Sequence, residues 1–284
     1  MTKHPSQTIR TIRPDNRVHD GVIGAFWYLL KEVGRYREQI WALYRRNFRS
    51  SYFGSGLGVI WNFILPLVPV TVYWFLAQIR VFPNFEGVDG STYLTFGVTI
   101  WFVFAGFVQN PISAVQTGKS EAMRTALPLS TSIISSFANL IFETLVRLVL
   151  VIGIIFITKS WPTVYAPGLF LVFISGFFLF FGIGLFLSIW NAIYRDVSRV
   201  TAILLQYGIF VSGVIFPLGA STLSQLSNKF NPFAVYVNAS REIVFEGTIS
   251  NILPLAIWSA IGVTLFLLGC RLFYVMEHRI REIS

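Results

Sequence analysis

The sequence predicts an all-α integral membrane protein with six transmembrane helices. Hydrophobic residues make up 54% of the 284 residues and charged residues only 12%, a balance that a water-soluble domain of this size cannot bury. Six stretches are each apolar for about 20 residues, long enough to cross a ~30 Å hydrocarbon layer as helices. Within a helix, every backbone amide is satisfied inside its own segment. The stretches lie at 58–79, 93–115, 131–157, 168–190, 200–218 and 251–275.

The distribution of basic residues predicts that both termini face the cytoplasm. If the spans alternate from an inner N-terminus, 17 Lys and Arg residues fall in inner segments and four in outer loops, as the positive-inside rule requires. The polar tails 1–20 and 276–284 are then both cytoplasmic, and the first has no apolar core of a secretory signal. The net charge of +9 therefore follows membrane topology and anionic lipid, and it does not indicate a nucleic-acid partner.

The segment 21–57 predicts an amphipathic helix followed by a turn. Such a helix lies in the membrane interface; the alternative is a helix packed on a cytoplasmic partner. Glycines at Gly54 and Gly56 permit the chain to change direction before the first span. The apolar face recurs at steps of three and four residues, at Leu29, Val33, Tyr36, Ile40 and Tyr44.

Two connections within the six-span domain 58–275 are unusual. The second predicted span, 93–115, ends in Asn110-Pro111. The inner connection 116–130 carries Lys119, Glu121 and Arg124 and has room for a short helix. The outer segment 219–250 contains an apolar run at 230–237 that is too short to cross a membrane, which predicts short re-entrant or interfacial helices.

Glu143 and Arg147 are charged residues within the third predicted span. They are four positions apart, on one helical face, and an isolated charge in lipid is costly. We therefore predict an intramembrane ion pair. It either braces the bundle interior or contacts a substrate that passes through.

Aromatic residues are abundant, with 28 Phe, 11 Tyr and 8 Trp. Those in the first and fifth spans could form sliding contacts for sugar rings along a path. The alternative is packing against lipid and neighbouring helices. The candidates are Trp61, Phe63, Tyr73, Trp74, Tyr207 and Phe210.

The sequence predicts no nucleotide, cofactor or metal site. Gly118-Lys119-Ser120 resembles the end of a phosphate-binding loop, but Ser113 stands where that motif needs glycine, and a membrane span precedes it. Any ATP used must bind another chain. The single cysteine, Cys270, and three histidines in the tails argue against a metal site and exclude a disulfide within the chain.

Four stretches together resemble the permease subunit of type-2 ABC exporters that carry bacterial polysaccharides. The resemblance runs from about residue 40 to the end and depends on the order of these stretches. They are Arg45-Arg46-Asn47-Phe48-Arg49-Ser50-Ser51-Tyr52 with Gly56-Leu57-Gly58-Val59-Ile60-Trp61 and Leu65-Pro66-Leu67; Tyr194-Arg195-Asp196-Val197; Ile215-Phe216-Pro217-Leu218; and Asn231-Pro232-Phe233-Ala234 with Ser240-Arg241-Glu242 and Gly247.

This resemblance implies a homodimer joined to two ATPase subunits in the bacterial inner membrane. It implies a path between the two permeases lined by spans one and five, a coupling helix at 116–130 that docks the ATPase, and gate helices at 219–250. The implied substrate is a lipid-linked polysaccharide. O-antigen export is the first expectation, and capsular polysaccharide or teichoic acid export by the same architecture is the alternative.

Arg45, Arg46 and Arg49 lie where the interfacial helix turns into the first span. If the substrate carries phosphate near the membrane surface, guanidinium groups suit its oxygens. The alternative is that these arginines hold anionic lipid and set the topology.

Two rival classes remain open from the residues alone. A channel or secondary transporter would need inverted repeats, or a charged or broken-helix site at mid-membrane, for which Glu143 and Arg147 are the one candidate in the sequence. A membrane enzyme of lipid-linked sugar metabolism would need clustered acids at one interface, whereas the 13 acidic residues are scattered.

Overall fold

The computed structural model describes residues 21–50, 54, 56–79, 88–125, 127–215 and 222–282. Helices and turns make up this part of the chain, with no strand in it, so the predicted all-α class is confirmed. The predicted tail 1–20 and the motif residues 216–218 lie outside the described residues.

Five helices in the described ranges are long and apolar enough to cross a membrane. They are α3 (Trp61–Gln78, entered through a 3₁₀ turn at Gly58–Ile60), α4 (Gly90–Thr125), α5 (Leu129–Thr158), α6 (Leu169–Ile193, entered through a 3₁₀ turn at Ala166–Gly168) and α10 (Ile252–Glu282).

The predicted fifth span is shorter than expected. It forms α7 (Asp196–Val211), a helix of 16 residues, or about 24 Å at 1.5 Å per residue. The helix gives way to a turn at 212–215. About 20 residues are needed to cross the hydrocarbon layer, so the six-span count and the cytoplasmic position of both termini stay predictions.

The predicted amphipathic segment forms two helices where the sequence predicts one. α1 (Val22–Arg35) and α2 (Arg37–Ser50) meet at Tyr36, which leaves helical geometry at φ −100° and ψ 20°. α1 packs on α10, with the Phe26 and Phe266 ring centroids 5.8 Å apart. α2 packs on α5 through Phe48 and Phe142, at 4.9 Å. Both helices therefore rest on the bundle.

The helix of the second predicted span continues past residue 115, because α4 runs through Pro111 to Thr125. Proline removes the hydrogen bond to the carbonyl four residues earlier, here Phe107. α6 covers that carbonyl, since a Cβ placed on Gly184 would lie 2.7 Å from the Phe107 oxygen. Neighbouring helices make proline tolerable inside membrane helices in this way. The predicted connection 116–130 is consequently mostly the end of α4, without a separate short helix in its described residues.

α4 is the central helix of the bundle. In an apolar stretch of 18 residues within α4, 78% of the residues are buried. In a stretch of the same length in the first span, only 11% are buried. It contacts α3, α5, α6 and α7 and one helix of the outer segment. The helices around it present apolar outer faces, as expected for segments surrounded by lipid.

The outer segment predicted at 219–250 is helical in its described residues. α8 (Thr222–Phe230) and α9 (Pro232–Arg241) are followed by a π-helical turn at Glu242–Glu246. Gly247 ends this turn with φ 73°, a left-handed conformation that suits glycine. These short helices match the predicted form, and their re-entrant position stays a prediction.

Candidate functional site

A groove of ≈ 490 Å³ lies along α4, between α3 and α5 on one side and α7 on the other. The α4 side chains form its floor, and Pro69 of α3 and Leu205 of α7 belong to opposite walls. The groove is mainly apolar but carries several aromatic and amide side chains, namely Tyr73, Trp101, Phe102, Gln109, Asn110 and Gln206.

The amides of Gln109 and Asn110 give the groove its polar character. Asn110 Nδ2 donates to the Ser136 carbonyl at 3.4 Å, and Gln109 Oε1 is buried without a hydrogen-bond partner in the described structure. Polar residues within membrane helices face the bundle interior or a water-filled cavity. This face of α4 is therefore suited to a ligand that offers hydrogen-bonding groups.

Glu143 and Arg147 lie together in the groove wall. Arg147 Nη2 is 3.2 Å from Glu143 Oε2, and the Arg147 side chain is almost fully buried. Its Nε donates to the Pro66 carbonyl at 3.2 Å, and its guanidinium lies 4.9 Å from the centroid of the Phe102 ring. The pair thus connects α3, α4 and α5 while adding no net charge to the groove.

The structure places one of the six predicted aromatic residues in the groove of a single chain, Tyr73. Phe63 packs edge-on against Phe142, at 5.1 Å between centroids. Tyr207 and Phe210 are exposed on the outer face of α7, at 61% and 49%. Trp61 and Trp74 are half-buried on α3, and neither lines the groove.

Sequence reasoning missed the α4 residues of the floor and Gln206. The signal was present, because Gln109 and Asn110 are adjacent amides near the end of an apolar stretch. The pairing of α3 with α7 across α4 could not be read from the chain, since those helices are more than 100 residues apart.

Sequence reasoning also missed the role of Arg241. It lies at the end of α9, only 4% exposed. Its Nη1 donates to the Gly213 carbonyl at 2.7 Å, and its Nη2 donates to the carbonyls of Val214 at 2.7 Å and Tyr93 at 3.1 Å. The guanidinium also lies 3.6 Å from the centroid of the Tyr93 ring. Burial lowers the pKa of Arg241 to about 10, which leaves it charged at neutral pH.

These bonds join the outer helix α9 to the start of α4 and to the turn after α7. Asn231 adds a second connection, because its Nδ2 donates to the Ser212 hydroxyl at 2.9 Å while its Oδ1 caps α9 at the Phe233 amide. The outer segment is therefore held to α4, which forms the groove floor, and to the turn that follows α7, which forms one wall.

The predicted basic residues lie on the surface of α2. Arg45, Arg46 and Arg49 are all exposed; Arg45 lies 4.9 Å from the centroid of the Trp41 ring, and Arg46 Nη2 donates to Asn47 Oδ1 at 3.3 Å. No ligand-shaped site gathers them in the described structure.

Lys119 is half-buried near the end of α4, and the side chains of Glu121 and Arg124 lie outside the described residues.

The chain belongs to the ABC-2 type transporter membrane family, whose profile matches residues 38–245. That match runs from α2 to the π-helical turn and includes the groove and Arg241. The protein is thus a multi-pass membrane permease of an ABC transporter, a class that works with an ATPase partner.

Its relatives are named for polysaccharide transport. The O-antigen export system permease protein RfbA of Myxococcus xanthus is 24% identical over 255 residues, covering 86% of this chain and 95% of the relative. RfbA of Klebsiella pneumoniae is 22% identical over 248 residues, covering 84% and 92%. The polysialic acid transport protein KpsM of Escherichia coli is 22% identical over 242 residues, covering 83% and 92%.

Proposed function

We propose that the chain is the permease through which an ATP-driven exporter moves a lipid-linked polysaccharide, O-antigen in the first instance, across the bacterial inner membrane. The observation that carries the proposal is the groove along α4, in a family whose relatives are named for this transport. Aromatic rings offer faces to sugars, and the amides offer hydrogen bonds to hydroxyl groups. The charge-neutral wall does not trap an anionic group. A polymer can slide along such a surface because no single contact is strong.

Two copies of the chain would complete the path. The groove is partly open, and the aromatics Tyr207 and Phe210 are exposed on another face of α7. A second copy related by two-fold symmetry would bring a matching surface to close it. The predicted aromatic residues outside the groove of one chain would then belong to the wider path between two chains.

ATP would be hydrolysed by a separate subunit, present in two copies. The region 116–125 at the end of α4, with Lys119, Glu121 and Arg124, would dock that subunit. The same helix forms the groove floor, so a displacement of its C-terminal end by the ATPase would be transmitted along α4 to the path. At the other end, α8 and α9 would act as the outer gate, held to α4 and α7 by Arg241.

Arg45, Arg46 and Arg49 would contact the phosphate-bearing headgroup of the lipid-linked substrate as it enters. Their exposure on α2, the helix before the first span, supports this role. Replacing all three with lysine keeps the charge but removes the bidentate geometry. Loss of export by that variant at normal membrane levels supports the headgroup role, and full export contradicts it.

The groove itself is tested with a pair of tryptophan substitutions, one in its wall and one on an exposed face of α5. Gln206 of α7 lines the groove, whereas Val149 of α5 is exposed and does not line it. We expect Gln206→Trp to obstruct the path and lower surface polysaccharide severalfold, with polymer accumulating inside the cell. Val149→Trp should export normally. Equal export by the two variants, at equal membrane levels, would contradict the groove as the path.

Capsular polysaccharide is the second candidate substrate, favoured by the similarity to KpsM. Teichoic acid export would use the same architecture. Deleting the chain's gene and identifying which polymer accumulates inside the cell decides among the three.

A further inference from the structure

A second cavity, of ≈ 320 Å³, lies between α1, α5, α6 and α10. It shares no lining residue with the groove. In the described structure its lining is hydrocarbon except for the Ser130 hydroxyl and the Cys270 thiol. Its volume falls within the range of ligand pockets in proteins.

The depth of this cavity corresponds to one leaflet of a membrane. On α6 its lining runs from Phe177 to Leu185, and on α10 from Phe266 to Phe273. Eight residues of helix rise about 12 Å, close to half of the ~30 Å hydrocarbon thickness.

One end of the cavity is closed by polar contacts. Ser130 Oγ donates to Glu32 Oε2 at 2.7 Å, joining α1 to the start of α5. Close by, the Leu129 amide donates to Glu277 Oε1 at 2.8 Å. These polar groups sit at helix ends, where a membrane surface would be. Water does not fill an apolar cavity, and a hydrocarbon chain is the kind of ligand that this lining suits.

The surface of α1 beside the cavity carries exposed residues suited to an anionic headgroup, none of which lines the cavity itself. Leu30 both lines the cavity and is exposed. Beside it on α1, Trp27 and Lys31 are exposed one turn apart, and Arg35 is exposed one turn beyond Lys31. Tryptophan is typical of the membrane interface, and basic residues there attract anionic lipids.

We propose that this cavity binds one acyl chain of an anionic membrane phospholipid whose headgroup contacts Lys31 and Arg35. The lipid fills the space between α1 and the bundle and fastens the N-terminal helix to α5, α6 and α10. This site is independent of the transported substrate and of the groove.

Lipid retention by the full-length chain purified in detergent tests the proposal. Native mass spectrometry after addition of phosphatidylglycerol counts the lipids bound. Ile134 lines the cavity, whereas Ile141, two turns along the same helix, is exposed elsewhere. We expect Ile134→Trp to lose one bound phosphatidylglycerol per chain and Ile141→Trp to keep it. Equal retention by both variants overturns the proposal, and so does a wild-type chain that retains no phosphatidylglycerol.

A second measurement tests the headgroup and needs no change to the cavity. The wild-type chain should retain phosphatidylglycerol in preference to phosphatidylcholine, because Lys31 and Arg35 attract an anionic headgroup. The double variant Lys31→Gln and Arg35→Gln should lose that preference. Equal retention of the two lipids by the wild-type chain, or a preference that survives the double variant, overturns the headgroup assignment.

Discussion

Individual buried charges determine how the outer segment is attached to the bundle. Arg241 uses two of its nitrogens to bond three backbone carbonyls, which come from the start of α4 and from the turn after α7. A buried cation without such partners costs several kcal/mol. The side chain therefore holds α9 in one position as long as the carbonyls remain in place. Gly97 makes room for it, because a Cβ there would lie 1.8 Å from Arg241 Nη2.

Replacing Gly97 with alanine should displace Arg241 and weaken its bonds to Tyr93 and Val214. We expect a loss of about 2 kcal/mol or more, since a buried charge loses hydrogen bonds. Thermal unfolding of the detergent-purified chain measures the effect. Gly153 on α5 is the matched control, because a Cβ there meets nothing within 4 Å, and alanine at an open helical position is neutral or slightly stabilising. Equal melting temperatures for Gly97→Ala and Gly153→Ala would show that Arg241 does not hold the segment.

Among the helices, α4 is the one that connects the groove, the outer segment and the predicted docking region. It forms the groove floor, bonds Arg241 near its start, and continues through Pro111 to the predicted docking region. Its length of 36 residues corresponds to about 54 Å, more than the ~30 Å hydrocarbon layer. One or both ends must therefore extend beyond the hydrocarbon, which supports a role for its C-terminal part in contacting another subunit.

A cysteine at Lys119 should crosslink to the ATPase subunit when the two are expressed together. Cys270 is first replaced with alanine, so that the introduced cysteine is the single thiol of the chain. Lys159, at the other end of α5, is the control position and should give no crosslink. Crosslinking measured on membranes checks the result. A complex that still exports but crosslinks only from Lys159→Cys would place the docking surface at the opposite end.

For the whole molecule, the groove and the exposed apolar faces are the features that bear on the proposed assembly of two chains. The groove lies between α3 and α5 on one side and α7 on the other, and it is partly open. The outer face of α7 exposes Tyr207 at 61% and Phe210 at 49%, and both were predicted to line a path. Lipid could cover such a face, but a second copy would account for both the open groove and the aromatic residues.

Tyr207→Cys in the background without Cys270 should form a covalent dimer with a short bifunctional maleimide. Val149→Cys on the outer face of α5, where Val149 is 73% exposed, should remain monomeric under the same conditions. Gel electrophoresis of treated membranes distinguishes the two. Dimers from Val149→Cys without dimers from Tyr207→Cys would place the second copy on another face.

The sequence by itself determined the membrane class, the helical fold, the approximate position of most spans and the family. These follow from local properties, because apolar runs of about 20 residues satisfy their own backbone and motif order is read directly along the chain. The spacing of Glu143 and Arg147 likewise places the two side chains on one face of a single helix.

The tertiary structure decided which residues meet across helices. The floor of the groove, the three carbonyls around Arg241 and the continuation of α4 past Pro111 all depend on partners distant in sequence. Gly184 of α6 packs against the Phe107 carbonyl, which the proline at 111 cannot bond, and the residues near Pro111 in the chain do not predict this contact. Most predicted path aromatics lie outside the groove because apolar side chains serve equally well against lipid and against a path. Only the packing of helices around α4 separates the two roles.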